Sequence, residues 1–251
     1  MSDPRDQTWV LYHTDTGTHD LTVFDQHMIC RVMDAVPLVE QPGLWLDEKG
    51  LGLLMPGLST PFRLPVGQLT RRLQKPSELV RACGLKPGDS KLTVLEPFAG
   101  FALDSLGMAA AGARVIGYER HPLVYHMARD IVARSGLDVL LQLGDGVSTL
   151  AQAVNRYDVV YLDPMFEPRN KKALPGLGAQ ILRELNFTTQ VDSAPSTHSA
   201  PPIEDYLTQG LMIAPRVVLK SPLKQRVYGK PNHTLRGRTV RFDVYVGSAG
   251  T

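Results

Sequence analysis

Between residues 92 and 162 short apolar runs alternate with segments whose apolar residues recur at helical spacing, and this alternation restricts the fold more than any other feature. Leu92-Thr93-Val94-Leu95, Arg114-Val115-Ile116-Gly117-Tyr118, Val139-Leu140-Leu141-Gln142-Leu143 and Val159-Val160-Tyr161-Leu162 read as strands. Asp104 to Gly112, Leu123 to Arg134 and Val147 to Val154 read as the helices between them. Such apolar strands are buried on both faces, which requires a parallel sheet covered by helices on each side. Right-handed crossovers then bring every strand's C-terminal end to one edge, where open α/β sheets bind ligands. A helix capped by Ser77, running from Glu78 to Cys83 and stopped at Gly84, precedes the first of these strands.

The chain before this region has another texture. Trp9-Val10-Leu11-Tyr12, Leu21-Thr22-Val23-Phe24, Leu44-Trp45-Leu46 and Leu51-Gly52-Leu53-Leu54 are short β-type runs, the last two joined as a hairpin in which Gly50 supplies the left-handed turn residue. Pro56, Gly57, Pro61 and Pro65 then break any regular element. After the α/β region, Thr188 to Pro202 reads as a surface loop, and Arg216 to Lys220 and Thr239 to Val246 as strands, the second alternating like an antiparallel partner at the sheet's end. The expectation is an α/β fold: a Rossmann-like, mostly parallel sheet with an antiparallel terminal strand over 76–251, plus a small β-rich N-terminal lobe over 1–75.

A chain of 251 residues can bury a core without disulfides or structural metal. Cys30 and Cys83 lie far apart with no Cys/His cluster beside them, so they read as buried free thiols in a reducing compartment, and no metal site is expected. The first residues, Met1 to Asp6, are polar, and no apolar stretch reaches the roughly eighteen residues of a membrane span, so the expected compartment is the cytosol. The net charge of +2 designates no partner. Its distribution is more informative, because basic residues bunch at 63–75, 169–172 and 216–241 and could follow a phosphate backbone. Arg71, Arg72, Lys171, Lys172, Lys220 and Lys224 are the candidate contacts to such a backbone.

Four stations fall at strand ends on the ligand edge. The first is the turn Glu96-Pro97-Phe98-Ala99-Gly100-Phe101-Ala102-Leu103-Asp104, where Gly100 lets the backbone approach a ligand before a helix N-terminus. Glu119, nineteen residues after Gly100, ends the next strand at the offset of a ribose-binding carboxylate. Asp145, with Gly146, follows the third strand; it can accept from an adenine amino group, or serve an ordinary Asp-Gly turn. The fourth is Asp163-Pro164-Met165-Phe166. An exocyclic amine is a poor nucleophile because its lone pair is delocalised into the ring. Hydrogen bonds from its N–H groups to the Asp163 carboxylate and the Pro164 carbonyl would align it and stabilise its developing positive charge, while Phe166 offers a stacking face.

With these stations in order, the chain resembles the class I, Rossmann-like methyltransferases, and specifically the ribosomal RNA small-subunit methyltransferase J family. The resemblance runs from about Leu44 to Gly247 and is most specific at Leu162-Asp163-Pro164-Met165-Phe166 and at Arg241-Phe242-Asp243-Val244-Tyr245. It implies S-adenosyl-L-methionine as cofactor, contacted at Leu103, Asp104, Glu119, Arg120, Asp145, Gly146 and Asp163, with Asp163 and Phe166 facing the target base. The implied reaction is methylation of a guanine N2 in small-subunit ribosomal RNA, with the RNA or the small subunit as partner. The first turn departs from the family pattern Asp-Ala-Thr-Ala-Gly-Leu-Gly-Arg-Asp: a second glycine and a basic residue are replaced by Ala102 and Leu103. Two other readings fit the same residues: methylation of another planar amine (adenine N6 or a glutamine amide), or a non-catalytic RNA-binding relative whose cofactor turn has decayed, with Phe98, Phe101 and Ala102 filling the cofactor's place.

Overall fold

The structure is a computed structural model; it describes residues 8–14, 24, 28–64, 77–86, 91–152, 157–166, 176–191 and 202–247. Seven strands form the main sheet: β5 (Thr93–Glu96), β6 (Arg114–Glu119), β7 (Val139–Leu143), β8 (Val159–Leu162), β9 (Arg216–Pro222), β10 (His233–Arg236) and β11 (Val240–Val246). Their spatial order is β10-β11-β9-β8-β5-β6-β7. The pairs β7–β6, β6–β5, β5–β8 and β8–β9 are parallel. The last strand, β11, runs antiparallel between β9 and β10, so the short β10 and not β11 forms the sheet's edge. The chain order reverses between β5 and β8, and the crevice at such a switch point is where doubly wound sheets hold ligands.

The helices are α1 (Glu78–Ala82), α2 (Leu103–Ala110), α3 (Pro122–Ser135), α4 (Gly146–Gln152), α5 (Leu177–Val191) and α6 (Ile203–Ile213). Their ends follow from local chemistry. Ser77 accepts from the Val80 N–H at the start of α1, and Gly84 adopts φ +72° just past its end. Pro122 opens α3, and Gly136 closes it in the left-handed region. One face of the main sheet packs on α1 and α2 through Val80, Met108, Val115, Tyr161 and Val218. The other face carries Leu150 of α4 and Tyr206 and Leu207 of α6 against Leu95, Val160 and Leu219.

A second sheet, ordered β2-β1-β3-β4, comprises β1 (Trp9–His13), β2 (Met28–Val32), β3 (Gly43–Asp47) and β4 (Gly50–Leu54). The β3–β4 hairpin turns as expected, with Gly50 at φ +92°. Its apolar face shares a core with the larger unit: Trp9, Leu11, Leu44 and Leu53 pack with Leu106, Leu123, Met127 and Ile131. The expected division at 75/76 falls outside the described residues, as do Leu21 to Val23 of the expected second strand; Phe24 is a bend.

Two expectations need correction. Residues 188–191 are the final turn of α5, and Pro202 is the N-cap of α6, so neither belongs to the loop read over 188–202, whose remainder lies outside the described residues. Cys83 is buried against Met108, but Cys30 is exposed, because β2 is the edge strand of the small sheet and four of its five residues are exposed. Strands β2 and β10 and helices α5 and α6 were not among the expected elements. No helix among the described residues is long and apolar enough to cross a membrane.

Candidate active site

The first strand-end turn keeps its shape without its second glycine. Gly100 sits at φ +54°, and Ala102, the N-cap of α2, adopts φ +56° and ψ +24°. Ala102 therefore takes the left-handed conformation for which the family pattern carries glycine, at a cost of about 1 kcal/mol. Three tethers hold it there: Ala99 N–H donates to the Tyr118 carbonyl at 2.9 Å, Ala102 N–H to the Ala99 carbonyl at 2.8 Å, and Leu106 N–H to the Ala102 carbonyl at 3.0 Å. Phe101, 4 % exposed, is turned into the core shared with the small sheet, where its ring meets Phe62. Phe98 packs edge-on against Tyr206 of α6. Leu103, where the family has a basic residue, remains 39 % exposed.

Glu119 ends β6 nearly buried, and its Oε1 accepts the His121 N–H at 2.7 Å. Burial pushes its carboxyl up; the N–H of His121, the Arg120 charge and the N–H groups of Gly100 and Arg120 oppose this. Glu119 thus ties the end of β6 to the Gly100 turn, whatever else it binds. Its neighbour Arg120 is exposed. Asp145 caps α4: Oδ1 accepts from Val147 N–H at 3.1 Å, and Oδ2 from the Ser148 N–H at 3.3 Å and hydroxyl at 2.6 Å. Gly146 is required where it stands, since a Cβ there would lie 2.2 Å from the Pro97 carbonyl oxygen. The Asp-Gly pair therefore has a structural task independent of any ligand.

The charged centre lies at the switch point. Lys220, on β9, donates from Nζ to Asp104 Oδ2 at 2.7 Å and to Asp163 Oδ2 at 2.8 Å. Asp104 Oδ2 also accepts the Tyr161 hydroxyl at 2.5 Å, and beneath it Ser105 donates to the buried Glu96. Burial opposes the Lys220 charge, but the two carboxylates outweigh it and push its pKa up. Burial first, then Asp104, raises the Asp163 carboxyl to about 6 against the pull of Lys220. Glu96 is held well above the usual carboxylate range by burial and then by Asp104. One ammonium thus faces two carboxylates at the edge of the crevice, and Asp163 remains 34 % exposed there. After it, Pro164 is buried, Met165 is exposed, and Phe166 is half-buried with its ring 6.2 Å from that of Tyr228.

The structure thus brings Gly100, Leu103, Asp104, Glu119, Asp163, Pro164 and Phe166 to one sheet edge, with Arg120, Asp145 and Gly146 at the ends of β6 and β7. Lys220 differs from its reading as a phosphate contact: it is 23 % exposed and engaged by carboxylates. Lys224 is exposed; Arg71, Arg72, Lys171 and Lys172 lie outside the described residues. Tyr161 and Tyr206 are not among the site residues expected from sequence. A tyrosine inside an otherwise aliphatic buried strand is itself the signal for Tyr161, because its hydroxyl needs a partner. Tyr206 had none, since α6 was not foreseen.

A crystal structure of a SAM-dependent methyltransferase from Neisseria gonorrhoeae superimposes with a TM-score of 0.63 over 96 % of this chain and 97 % of that one, at 19 % identity, which speaks for the fold alone. Strand order and the inserted antiparallel strand give the chain a Rossmann-like fold of the kind that class I methyltransferases have. The ribosomal RNA small subunit methyltransferase J of Alkalilimnicola ehrlichii is 33 % identical over 235 residues, covering 84 % of this chain and 85 % of that protein. The chain belongs to the family described as "Putative SAM-dependent methyltransferase", matched over residues 67–247, and within it to the ribosomal RNA small subunit methyltransferase J proteins. The like-named protein of Francisella tularensis is 30 % identical over 167 residues, 62 % of this chain; the match spans 66 % of that relative's length. The cofactor of this family is S-adenosyl-L-methionine.

Proposed function

We propose that this protein methylates the exocyclic N2 amine of a guanine in small-subunit ribosomal RNA, in the cytoplasm. The observation that carries the reading is Asp163 at the end of β8, held by Lys220 and followed by buried Pro164 and half-buried Phe166. The names of the relatives support the RNA class.

The residues present suit the cofactor. Its sulfonium and ammonium are cationic, and the crevice is lined by the carboxylates of Asp104 and Asp163, with Glu119 and Asp145 at the adjoining strand ends. Phe101 packs in the core shared with the small sheet and Phe98 packs against Tyr206, which supports a turn that still admits the cofactor. In this reading Gly100, Leu103 and Asp104 hold the amino-acid portion, Glu119 and Arg120 the ribose, and Asp145 and Gly146 the adenine. S-adenosyl-L-methionine, when bound, supplies a methyl group activated by its sulfonium.

The chain's own residues then act on the amine. Asp163 and the Pro164 carbonyl accept its two N–H groups, which fixes the nitrogen lone pair toward the methyl carbon and stabilises the charge that develops as the N–C bond forms. The proton shed afterwards goes to water or to Asp163. Phe166 stacks on the base. Lys220 keeps Asp163 in its acceptor form despite the burial that favours protonation.

Labelled methyl transfer to ribosomal RNA and small subunits, followed by digestion to nucleosides, tests the reading. 2-Methylguanosine is the expected product, and 6-methyladenosine would move the substrate to the other planar amine. Asp163→Ala is expected to retain the wild-type circular dichroism spectrum and lose at least about a hundredfold in turnover; near-normal turnover would sink the mechanism.

A further inference from the structure

The signature Arg241-Phe242-Asp243-Val244-Tyr245 takes no part in the chemistry above, yet two of its charged residues are almost fully buried on β11: Arg241 is 3 % and Asp243 0 % exposed. Arg241 Nε donates to Asp243 Oδ2 at 2.8 Å. Its Nη1 donates to the carbonyls of Pro222, Leu223 and Gln225 at 3.3, 3.2 and 2.7 Å, and its Nη2 to that of Arg226 at 2.8 Å. One guanidinium therefore gathers the carbonyls of the strap that leaves β9. Further along, Tyr245 donates its hydroxyl to the Tyr228 carbonyl, and Asn232 N–H donates to that of Val244. The second Asp243 oxygen accepts the Thr234 hydroxyl at 2.7 Å. Both ends of the strap 223–232 are fastened to β11, which fixes the shape of a segment with no regular structure of its own.

That strap borders the active site. Tyr228 packs beside Phe166, and the Arg226 guanidinium lies 4.5 Å from the centre of the Tyr228 ring. The register pairs Val240 with Pro222 and Arg236 with Arg241, so the turn between β10 and β11 projects from the same sheet edge as Asp163. Lys224, Arg226, Arg236 and Arg238 are all exposed on these two segments. The chain has no Asp or Glu from 206 to 242; the acid paired with Arg226 is Glu204, at the start of α6.

We propose that the strap and the β10–β11 turn are the phosphate-binding rim of the substrate site, held in shape by the buried Arg241. This rests on the reading of RNA as substrate. A base that reaches Phe166 from within a polynucleotide brings a phosphate on either side of it. A rim of cations fixed beside the stacking ring suits that polymer better than an isolated acidic side chain. Arg241 acts through the strap and does not touch RNA.

Fluorescence anisotropy of the full chain with a labelled small-subunit rRNA oligonucleotide, titrated over salt, tests this. For the double variant Arg236→Ala/Arg238→Ala the slope of log affinity against log salt should fall by about 1.4, about 0.7 for each phosphate that is no longer neutralised. Its affinity for S-adenosyl-L-methionine, read by calorimetry, should be unchanged. Arg241→Lys keeps the charge but cannot fork among the carbonyls; it should weaken RNA binding about tenfold with the cofactor affinity retained. Wild-type slope and affinity in the double variant would overturn the proposal, as would polyglutamate competing as strongly as RNA. Wild-type RNA binding with the full slope but a product other than 2-methylguanosine would leave the rim standing and refute only the proposed acceptor atom.

Discussion

Asp163 and Lys220 show how one residue's neighbours decide what it can do. An aspartate at the mouth of a strand is ordinary in sequence, but here burial drives its carboxyl up to about 6 and an ammonium at 2.8 Å holds it against further protonation. If the carboxylate is the form that accepts the amine, kcat/KM should fall as pH drops below about 6. Lys220→Met, which leaves Asp104 and Asp163 facing each other without the cation, should move that acid limb upward; an unmoved limb would mean that Lys220 does not set the charge on Asp163. The effect on stability has the opposite sense. The folded pKa exceeds the unfolded value, so the folded state binds more protons between about pH 4 and 6, and this group's contribution to stability declines as pH rises through that window. Asp163→Asn should remove that decline from urea titrations run across the window.

The β5–α2 turn lacks the second glycine of the family pattern, and the backbone explains how it keeps its shape. Ala102 occupies a left-handed position because its neighbours in the turn are already tied to β6 and α2. Ala102→Gly should leave thermal stability equal or raise it by up to about 1 kcal/mol, relief of the backbone being partly offset by the freer unfolded chain. Ala102→Val adds bulk at a position with no exposure and should cost about 2 kcal/mol or more, with weaker cofactor binding by calorimetry. Equal melting temperatures for the two variants would mean that the turn is not strained. The Arg241–Asp243 pair is a second element-scale device. Removing one partner of such a buried pair generally costs about 3–5 kcal/mol, so Arg241→Ala should lower stability sharply, and this is why the lysine variant is the informative one for RNA binding.

At the scale of the whole molecule, the small sheet and the α/β unit share a core through Trp9, Leu11, Leu53, Leu123 and Met127. We propose that residues 1–75 form a lobe that stands on this shared core and does not fold as an independent unit. Both tryptophans, Trp9 and Trp45, lie in the small sheet, whereas most of the helices belong to the larger unit. Denaturation followed by tryptophan fluorescence and by far-ultraviolet circular dichroism should therefore give one coincident transition. An earlier fluorescence transition would show that the lobe unfolds separately.

The strands from β5 to β9, the helices α1 to α4, the β3–β4 hairpin and the strand-end stations are legible in the sequence, because buried parallel strands and amphipathic helices each write a local period. The position of Asp163 on the ligand edge follows from that topology without any side-chain detail. Whatever depends on partners distant in the chain emerges only in the folded arrangement. Lys220 turned from an expected phosphate contact into the charge partner of Asp104 and Asp163, which lie 116 and 57 residues away. Tyr161 gained its acceptor, β2 and β10 their pairing, and Cys30 its exposure by the same route. Hydrogen bonds and ion pairs between remote segments leave no period in a sequence; they exist only once the sheet has brought their ends together.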